Sequence, residues 1–307
     1  LFLFFLLPFS HLSAQNLTRK NTDSLKTELR DSHDKTRIDI LLQLSGEHAS
    51  RHPQKSLEYS KKALTLAEKL HSPSRQASCL KNMGEAYFRM DRYQKAAEHL
   101  RQAASLYKKL QKSSSQEEMY FKLGETYSLL GKYQQSDHYF HLALKISRQR
   151  ENNRQIGITY NHLGLNQKRK NAYSQAYDYH QKALQEFTSL NQEEGRANTL
   201  NYMGSIHWQQ GRYDSAMHYY SHSLQIKRKI GDTLGIIRTL NNLGLVNKNT
   251  GDYNKAIELH QQAYKLAQSH DIPLLKADIF NYMGNVNLKI HQFDQALDQY
   301  KKSMVLR

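Results

Sequence analysis

The sequence predicts an all-α chain of stacked helix pairs, and three observations carry that prediction. Six glycines, Gly84, Gly124, Gly164, Gly204, Gly244 and Gly284, recur every forty residues without slippage. Each follows a Leu or Met, at Met83, Leu123, Leu163, Met203, Leu243 and Met283. Only four prolines and fourteen glycines interrupt 307 residues, so helices dominate and long flexible linkers are not expected. A fixed period also sets aside the one- or two-domain reading of this length, because repeat arrays grow along one axis instead of closing one core.

In chain order, residues 1–15 read LFLFFLLPFSHLSAQ. An apolar run, a helix-breaking Pro8 and small residues at Ser13 and Ala14 resemble the core and cleavage region of a secretory signal peptide, with cleavage expected near Ala14–Gln15. The run is too short to span a membrane, which takes roughly 20 apolar residues. An initiator Met and a basic n-region are missing, so the first few residues are expected to be lost from this sequence. Residues 16–36 are polar, with an amphipathic hint at Leu25 and Leu29, and read as a lead-in or capping segment. From Ile38 to Leu70 comes a degenerate first repeat. Ile38, Leu41, Leu42 and Leu44 share one helical face, Pro53 marks the turn, and Leu57, Ala63, Leu64 and Ala67 form the next face.

The regular array follows from about Gln76 and gives a solenoid over 37–307 of about seven repeats, the last truncated. A small residue recurs at Ala96, Ser136, Ala176, Ala216, Ala256 and Ala296, and another seven residues later at Ala103, Ala143, Ala183, Ser223, Ala263 and Ser303. An aromatic precedes the first set by three, at Tyr93, Tyr133, Tyr173, Tyr213, Tyr253 and Phe293. Gly131, Gly211 and Gly251, with Asn171 as substitute, suit the left-handed residue that ends a helix. Each unit is therefore helix, tight turn, helix. The glycines and small residues let the paired helices approach closely, the aromatic fills the corner beside the turn, and neighbouring pairs stack to bury what one pair cannot.

These landmarks resemble the tetratricopeptide repeat (TPR), whose first helix carries a large apolar residue, Leu-Gly and a large residue, and whose second carries Ala and an aromatic. The resemblance implies a right-handed α-solenoid of TPR helix-turn-helix repeats over about residues 38–307. There are departures. The period is 40 rather than 34; Leu80, Tyr120, Tyr160, Leu200, Leu240 and Phe280 hold the usual Trp position; Tyr follows the Gly only at Tyr87 and Tyr127; a terminal Pro is absent. Asn241-Asn-Leu-Gly, Gly251-Asp, His260-Gln-Gln-Ala and Gly231-Asp232 look like the forty-residue subclass of kinesin light chains, spindle-orientation adaptors and bacterial peptide sensors. In that subclass an Asn on the first helix hydrogen-bonds the backbone of an extended peptide in the concave groove, a task suited to an amide with both donor and acceptor. The resemblance carries this role to Asn161, Asn201, Asn241 and Asn281 and fails at Lys81 and Phe121 in the same column. The Lys/Asn clamp of chaperone-binding members is not reproduced.

Helical spacing extends each Asn to residues four and seven further on, adding Leu165 and Lys168, Ser205 and Trp208, Leu245 and Lys248, and Asn285 and Leu288. Trp208, the only Trp, would anchor an extended peptide bonded by the Asn amides. The alternative is that the Asn column only ties adjacent first helices together.

A balance of 44 Lys+Arg against 28 Asp+Glu gives a net charge of +16. It favours acidic partners, anionic membranes or nucleic acid, or else is a solvated face spread along a long solenoid. The basic runs Lys168–Arg169–Lys170 and Lys227–Arg228–Lys229 read as solvated helix ends, and nucleic acid is not the expected partner. Among sixteen histidines, His218 and His222, and His138 and His141, could share helix faces, but neither pair has a catalytic Glu or a Cys cluster beside it. His180 and His260 occupy the repeat position of Phe140, Tyr220 and Tyr300, which argues for packing. Cys79, the one cysteine, excludes an intrachain disulfide and reads as a small packing residue. No phosphate loop, nucleophile elbow or kinase set appears, so no enzyme activity and no cofactor or metal is implied.

The reading favoured is an exported scaffold, periplasmic or membrane-associated, binding a protein or an extended peptide, with acidic ones favoured by the net charge. Two others stay open. One is the sensory half of a longer bacterial membrane-bound regulator, attached through a C-terminal segment beyond Arg307, with a histidine kinase or helix-turn-helix output. The other is an intracellular adaptor.

Overall fold

The structure is a computed structural model and describes residues 24–25, 27–29 and 34–307. Residues 1–15, where a signal peptide is expected, and most of the expected lead-in segment lie outside these residues. Helices follow one another in pairs: α1 (Asp34–His48) and α2 (Pro53–Lys69), α3 (Pro73–Arg89) and α4 (Tyr93–Lys109), α5 (Ser113–Leu129) and α6 (Tyr133–Gln149), α7 (Asn153–Arg169) and α8 (Tyr173–Ser189). They continue with α9 (Glu193–Gln209) and α10 (Tyr213–Lys229), α11 (Thr233–Thr250) and α12 (Tyr253–Ser269), and α13 (Pro273–Lys289) and α14 (Phe293–Val305). No strand occurs among the described residues. The fold is the all-α solenoid class expected from the sequence.

The chain divides into two compact units, one ending at Ile146 and one running from Ser147 to Arg307. In the first, the degenerate pair α1–α2 buries Ile38, Leu41, Ala63 and Ala67 together with Cys79 of α3. Leu25, from the lead-in, is buried against Ile40 and Leu44. Burial pushes the Cys79 thiol up to about 12, as fits an inert packing residue.

Helix starts and stops follow local chemistry. Pro53, Pro73 and Pro273 open α2, α3 and α13, where a missing N–H costs nothing. Asn152, Asp232 and Asp252 cap α7, α11 and α12 by accepting from the N–H of Gln155, Gly235 and Lys255. At the other end the chain turns through a left-handed residue, at Gly131, Gly211 and Gly251 and at Asn171, as expected. The same conformation also recurs at His71, Asp91, Gln111, Glu151, Asn191, Gly231, Asp271 and His291, so turns within and between repeats are built alike, twenty residues apart. The residue after each reaches five residues back, as Arg92 N–H does to Tyr87 C=O and Lys132 N–H to Tyr127 C=O, both at 2.9 Å.

The regular spacing of the glycines has a direct steric cause. In every pair but α1–α2 the first helix lays a Gly against a bulky side chain of the second: Gly84 on Leu100 and Gly124 on Phe140 in the first unit, then Gly164 on His180, Gly204 on Tyr220, Gly244 on His260 and Gly284 on Tyr300 in the second. A Cβ at these positions would come within 2.5–2.8 Å of that side chain. The small residues at both expected second-helix positions are buried. Where Ser replaces Ala its hydroxyl donates to the first helix: Ser136 to Gly124 C=O, Ser223 to Ala197 C=O and Ser303 to Ala277 C=O, at 2.6–2.8 Å.

Candidate functional site

In the second unit the first helices, α7, α9, α11 and α13, bury one face and leave a part-exposed stripe. It starts at Ile158, Asn198, Arg238 and Asp278 and continues four, seven and ten residues on, ending at Lys168, Trp208, Lys248 and Leu288. Helical geometry makes each set a single face. The stripe lies one residue further round than the Asn column, so His162, Tyr202, Asn242 and Tyr282 take the partly exposed positions beside it.

The Asn column divides accordingly. Asn161 is only 6% exposed and Asn241 5%. Asn161 donates from Nδ2 to Thr199 Oγ1 on the next first helix at 2.8 Å, and its Oδ1 accepts from His180 Nδ1 at 2.8 Å. Thr199 sends its own hydroxyl proton to Gly195 C=O, leaving its oxygen free to accept. Asn241 Oδ1 accepts likewise from His260 Nδ1 at 2.9 Å, but Ile279 stands where Thr199 does and cannot extend the link. Asn201 and Asn281 are part-exposed; Asn201 Oδ1 accepts from Asn242 at 3.1 Å and Asn281 Oδ1 from Asn285 at 3.2 Å. In the first unit the same column holds Lys81, ion-paired with Glu118 at 2.7 Å, and Phe121, whose ring packs 5.5 Å from that of Phe140.

His180 and His260 are fully buried packing residues, seated on Gly164 and Gly244 and covered by the rings of Tyr202 and Tyr282 at 5.4 and 5.5 Å. Burial, reinforced by Lys168 and Lys248 respectively, pushes their pKa values down to about 3 and about 4. Both rings are therefore neutral at pH 7, with the proton on Nδ1 facing the Asn carbonyl.

Lys168 and Lys248 end the stripe on α7 and α11. Lys168 donates from Nζ to Ser205 Oγ at 2.9 Å. Its pKa is pushed down to about 8 by burial and then by Arg169; that of Lys248 is lowered by burial and then by Lys289. Trp208 sits between them in register, partly buried against the core around Tyr220 and Leu243. Its indole N–H is buried without an acceptor among the described residues.

Sequence reading had missed Tyr202 and Tyr282, and with them a period of eighty. Asn-Tyr-Met-Gly stands at 201–204 and again at 281–284, while Asn161, Leu165, Lys168 and His180 recur as Asn241, Leu245, Lys248 and His260. Comparison at twice the repeat length would have found it.

His218 and His222 do share a face, with ring centroids 4.3 Å apart. Among the described residues no three or more His, Cys, Asp or Glu side chains gather as a metal site requires, and no helix is long and apolar enough to cross a membrane.

Paired helices of fixed length, a Gly seat in each pair and an open first-helix face define a helical-repeat protein. Two models described as tetratricopeptide repeat match the sequence, one at residues 47–109 and 195–269 and the other at 117–150. The chain belongs to the tetratricopeptide repeat family. Comparison with curated proteins finds no match. Among solved structures it is similar to the apo form of RapI, at 13% identity and a TM-score of 0.70, covering 88% of this chain and 97% of that one. It is also similar to NprR in complex with its cognate peptide NprX, at 20% identity and 0.60, covering 96% and 84%. BtubC from P. vanneervenii is matched at 21% identity and 0.61, covering 71% and 92%. At these identities the likeness is one of fold.

Proposed function

We propose that the chain is a non-enzymatic scaffold that holds an extended protein segment on the first-helix face of its second unit. The carrying observation is that face itself: a part-exposed stripe repeated on the first helices of four successive pairs, mixing amide, aromatic and cationic side chains around Trp208. Such a surface offers backbone bonds, an aromatic anchor and charge, the ingredients of extended-peptide recognition. NprR, a structure of the same fold, holds a peptide, which supports the reading. In it Asn201 and Asn281 face the ligand, Lys168, Lys248 and Trp208 flank it, and Asn161 and Asn241 chiefly tie helices together.

Selection of peptides from a random display library on the full chain tests this, with Trp208 emission as readout. Selected peptides should shift the emission and cross-link to α9 or α11. Peptides that bind while leaving Trp208 silent and cross-link elsewhere would reject the assignment.

Export is part of the proposal and rests on residues 1–15 alone. Cell fractionation checks it: mature protein in the cytosol still carrying residues 1–14 would sink it. The sensor reading rests on the same segment, and a stretch of ~20 apolar residues encoded after Arg307 would support it.

A further inference from the structure

The eighty-residue period places a lysine twice at the same point of the open face of the second unit, each with a polar residue of the next first helix in register. Lys168 lies on α7 beside Ser205 of α9, and Lys248 lies on α11, with Asn285 of α13 in the place of Ser205. In the first unit, lysines on the first helices are neutralised across repeats, Lys81 by Glu118 at 2.7 Å and Lys122 by Glu85 at 3.2 Å. In the second unit the stripe's own carboxylate, Asp278, pairs with Arg307 at 3.2 Å, and Glu193 and Asp271 pair with Arg196 and Lys276. The charges acting on Lys168 and Lys248 are cationic, Arg169 and Lys289, and burial weakens solvation of both ammonium groups. Among the described residues neither ammonium has a carboxylate partner; a half-buried ammonium so placed is costly to hold, and a ligand carboxylate would relieve it.

We propose that this face takes an acidic extended peptide at two corresponding subsites, one at Lys168 with Ser205 and one at Lys248 near Asn285, each lysine holding one carboxylate. The inference rests on the peptide-binding reading of the same face. Ser205 already orients the first ammonium: its hydroxyl donates to Tyr202 C=O at 2.7 Å and its oxygen accepts from Lys168, which keeps two further N–H groups for a ligand. At the second, Asn285 holds the corresponding position; its Oδ1 accepts from Tyr300 OH at 2.9 Å and one N–H of its Nδ2 goes to Asn281 Oδ1 at 3.2 Å, which leaves the other N–H for a ligand. Trp208 stands between them as an apolar spacer. Packed helices lie about 8–10 Å apart, so subsites two repeats apart are on the order of 20 Å distant. An extended chain covers that in about six residues.

The test uses alanine-based peptides with two Glu six residues apart, a Gln counterpart and a version with the two Glu adjacent. Each is titrated into the full chain while Trp208 emission is followed, and an oligothymidylate serves as a non-peptide polyanion. The spaced Glu peptide should bind about tenfold or more tighter than its Gln counterpart, as a charge-assisted contact warrants, and binding should weaken with salt. Lys168→Gln and Lys248→Gln should each remove most of that advantage without lowering the melting temperature, whereas Lys255→Gln should leave it intact. Equal binding of the Gln peptide overturns the acidic ligand and leaves the peptide-binding face standing. Equal binding of the adjacent-Glu peptide overturns the two subsites. Tighter binding of the oligothymidylate overturns the peptide in favour of a nucleic acid. Failure of every peptide here and of the display selection overturns both readings together.

Discussion

The Gly seat makes a prediction whose sign depends on its partner. A Cβ added at Gly124 would stand 2.5 Å from Phe140 Cδ1 and Cε1, and 2.8 Å from Cζ. Comfortable carbon contacts need about 3.5–4.0 Å, so the ring must retreat by about 1 Å. Phe140 is fully buried and its ring also packs on that of Phe121, so it has little room. Overpacking of this kind costs about 1–3 kcal/mol, offset by about 1 kcal/mol of helix propensity on replacing Gly with Ala. Gly124→Ala should therefore lose about 0–2 kcal/mol. In a Phe140→Ala background, itself down by about 3–5 kcal/mol, the obstacle is gone and the same Gly124→Ala should gain about 1 kcal/mol. Urea unfolding of the four proteins by far-UV circular dichroism, compared at a common slope, gives the coupling. If Gly124→Ala stabilises both backgrounds equally, the glycines are not there for close approach and the packing argument falls.

Other outcomes follow from the same geometry. His260 titrates near 4 when folded and near 6.5 when unfolded, so its contribution is complete above about pH 6.5 and is lost as pH falls toward 4. His260→Gln should flatten that part of the stability–pH curve, a span worth on the order of 3 kcal/mol. At the turns, Gly211 has φ +72° and Gln111 has φ +55°; Gly211→Ala should cost about 1 kcal/mol and Gln111→Gly should gain a few tenths to about 1 kcal/mol in thermal melts. Lys227 is 3% exposed and burial pushes its pKa down to about 8, so Lys227→Met should stabilise by about 1–3 kcal/mol at pH 7, with the gain shrinking as pH rises through 8–10. Asn161→Ala strands the His180 Nδ1–H and should cost about 1–3 kcal/mol. Asn201→Ala should cost clearly less, and chemical denaturation distinguishes the two.

Legibility in the sequence tracks how strictly a position is constrained by shape. The seat at Gly84 through Gly284 could be read directly, because an added methyl there collides in all six regular repeats, and so could the small second-helix residues at Ala96, Ser136 and their successors, which are all buried. The packing role of His180 was readable for the same reason: it shares a column with Phe140 and Tyr220, and a column that accepts Phe is filled for volume. Turns were half legible. Gly131 and Gly211 advertise a left-handed residue, whereas His71, Gln111 and Glu151 adopt the same conformation with side chains that only tolerate it, held by the bond that reaches five residues back. A motif confined to glycine therefore sees a forty-residue period where the backbone repeats every twenty.

The open face was legible only to within a rotation. Counting four and seven residues from Asn161 marks a helical stripe correctly, yet the count cannot say which edge of the stripe faces the neighbouring helix. That depends on partners twenty to forty residues away: Thr199 and His180 draw Asn161 inward, and the absence of an equivalent to His180 opposite Asn201, where Tyr220 fills the seat, leaves its amide nearer the surface. One Asn column thus serves two ends. Where the seat holds His, the amide is consumed by the ring; where it holds Tyr, the amide is part-exposed. Alternation of His and Tyr along the second helices is what turns a forty-residue repeat into an eighty-residue one, and it places the two unneutralised lysines on the His-bearing repeats with Trp208 between them.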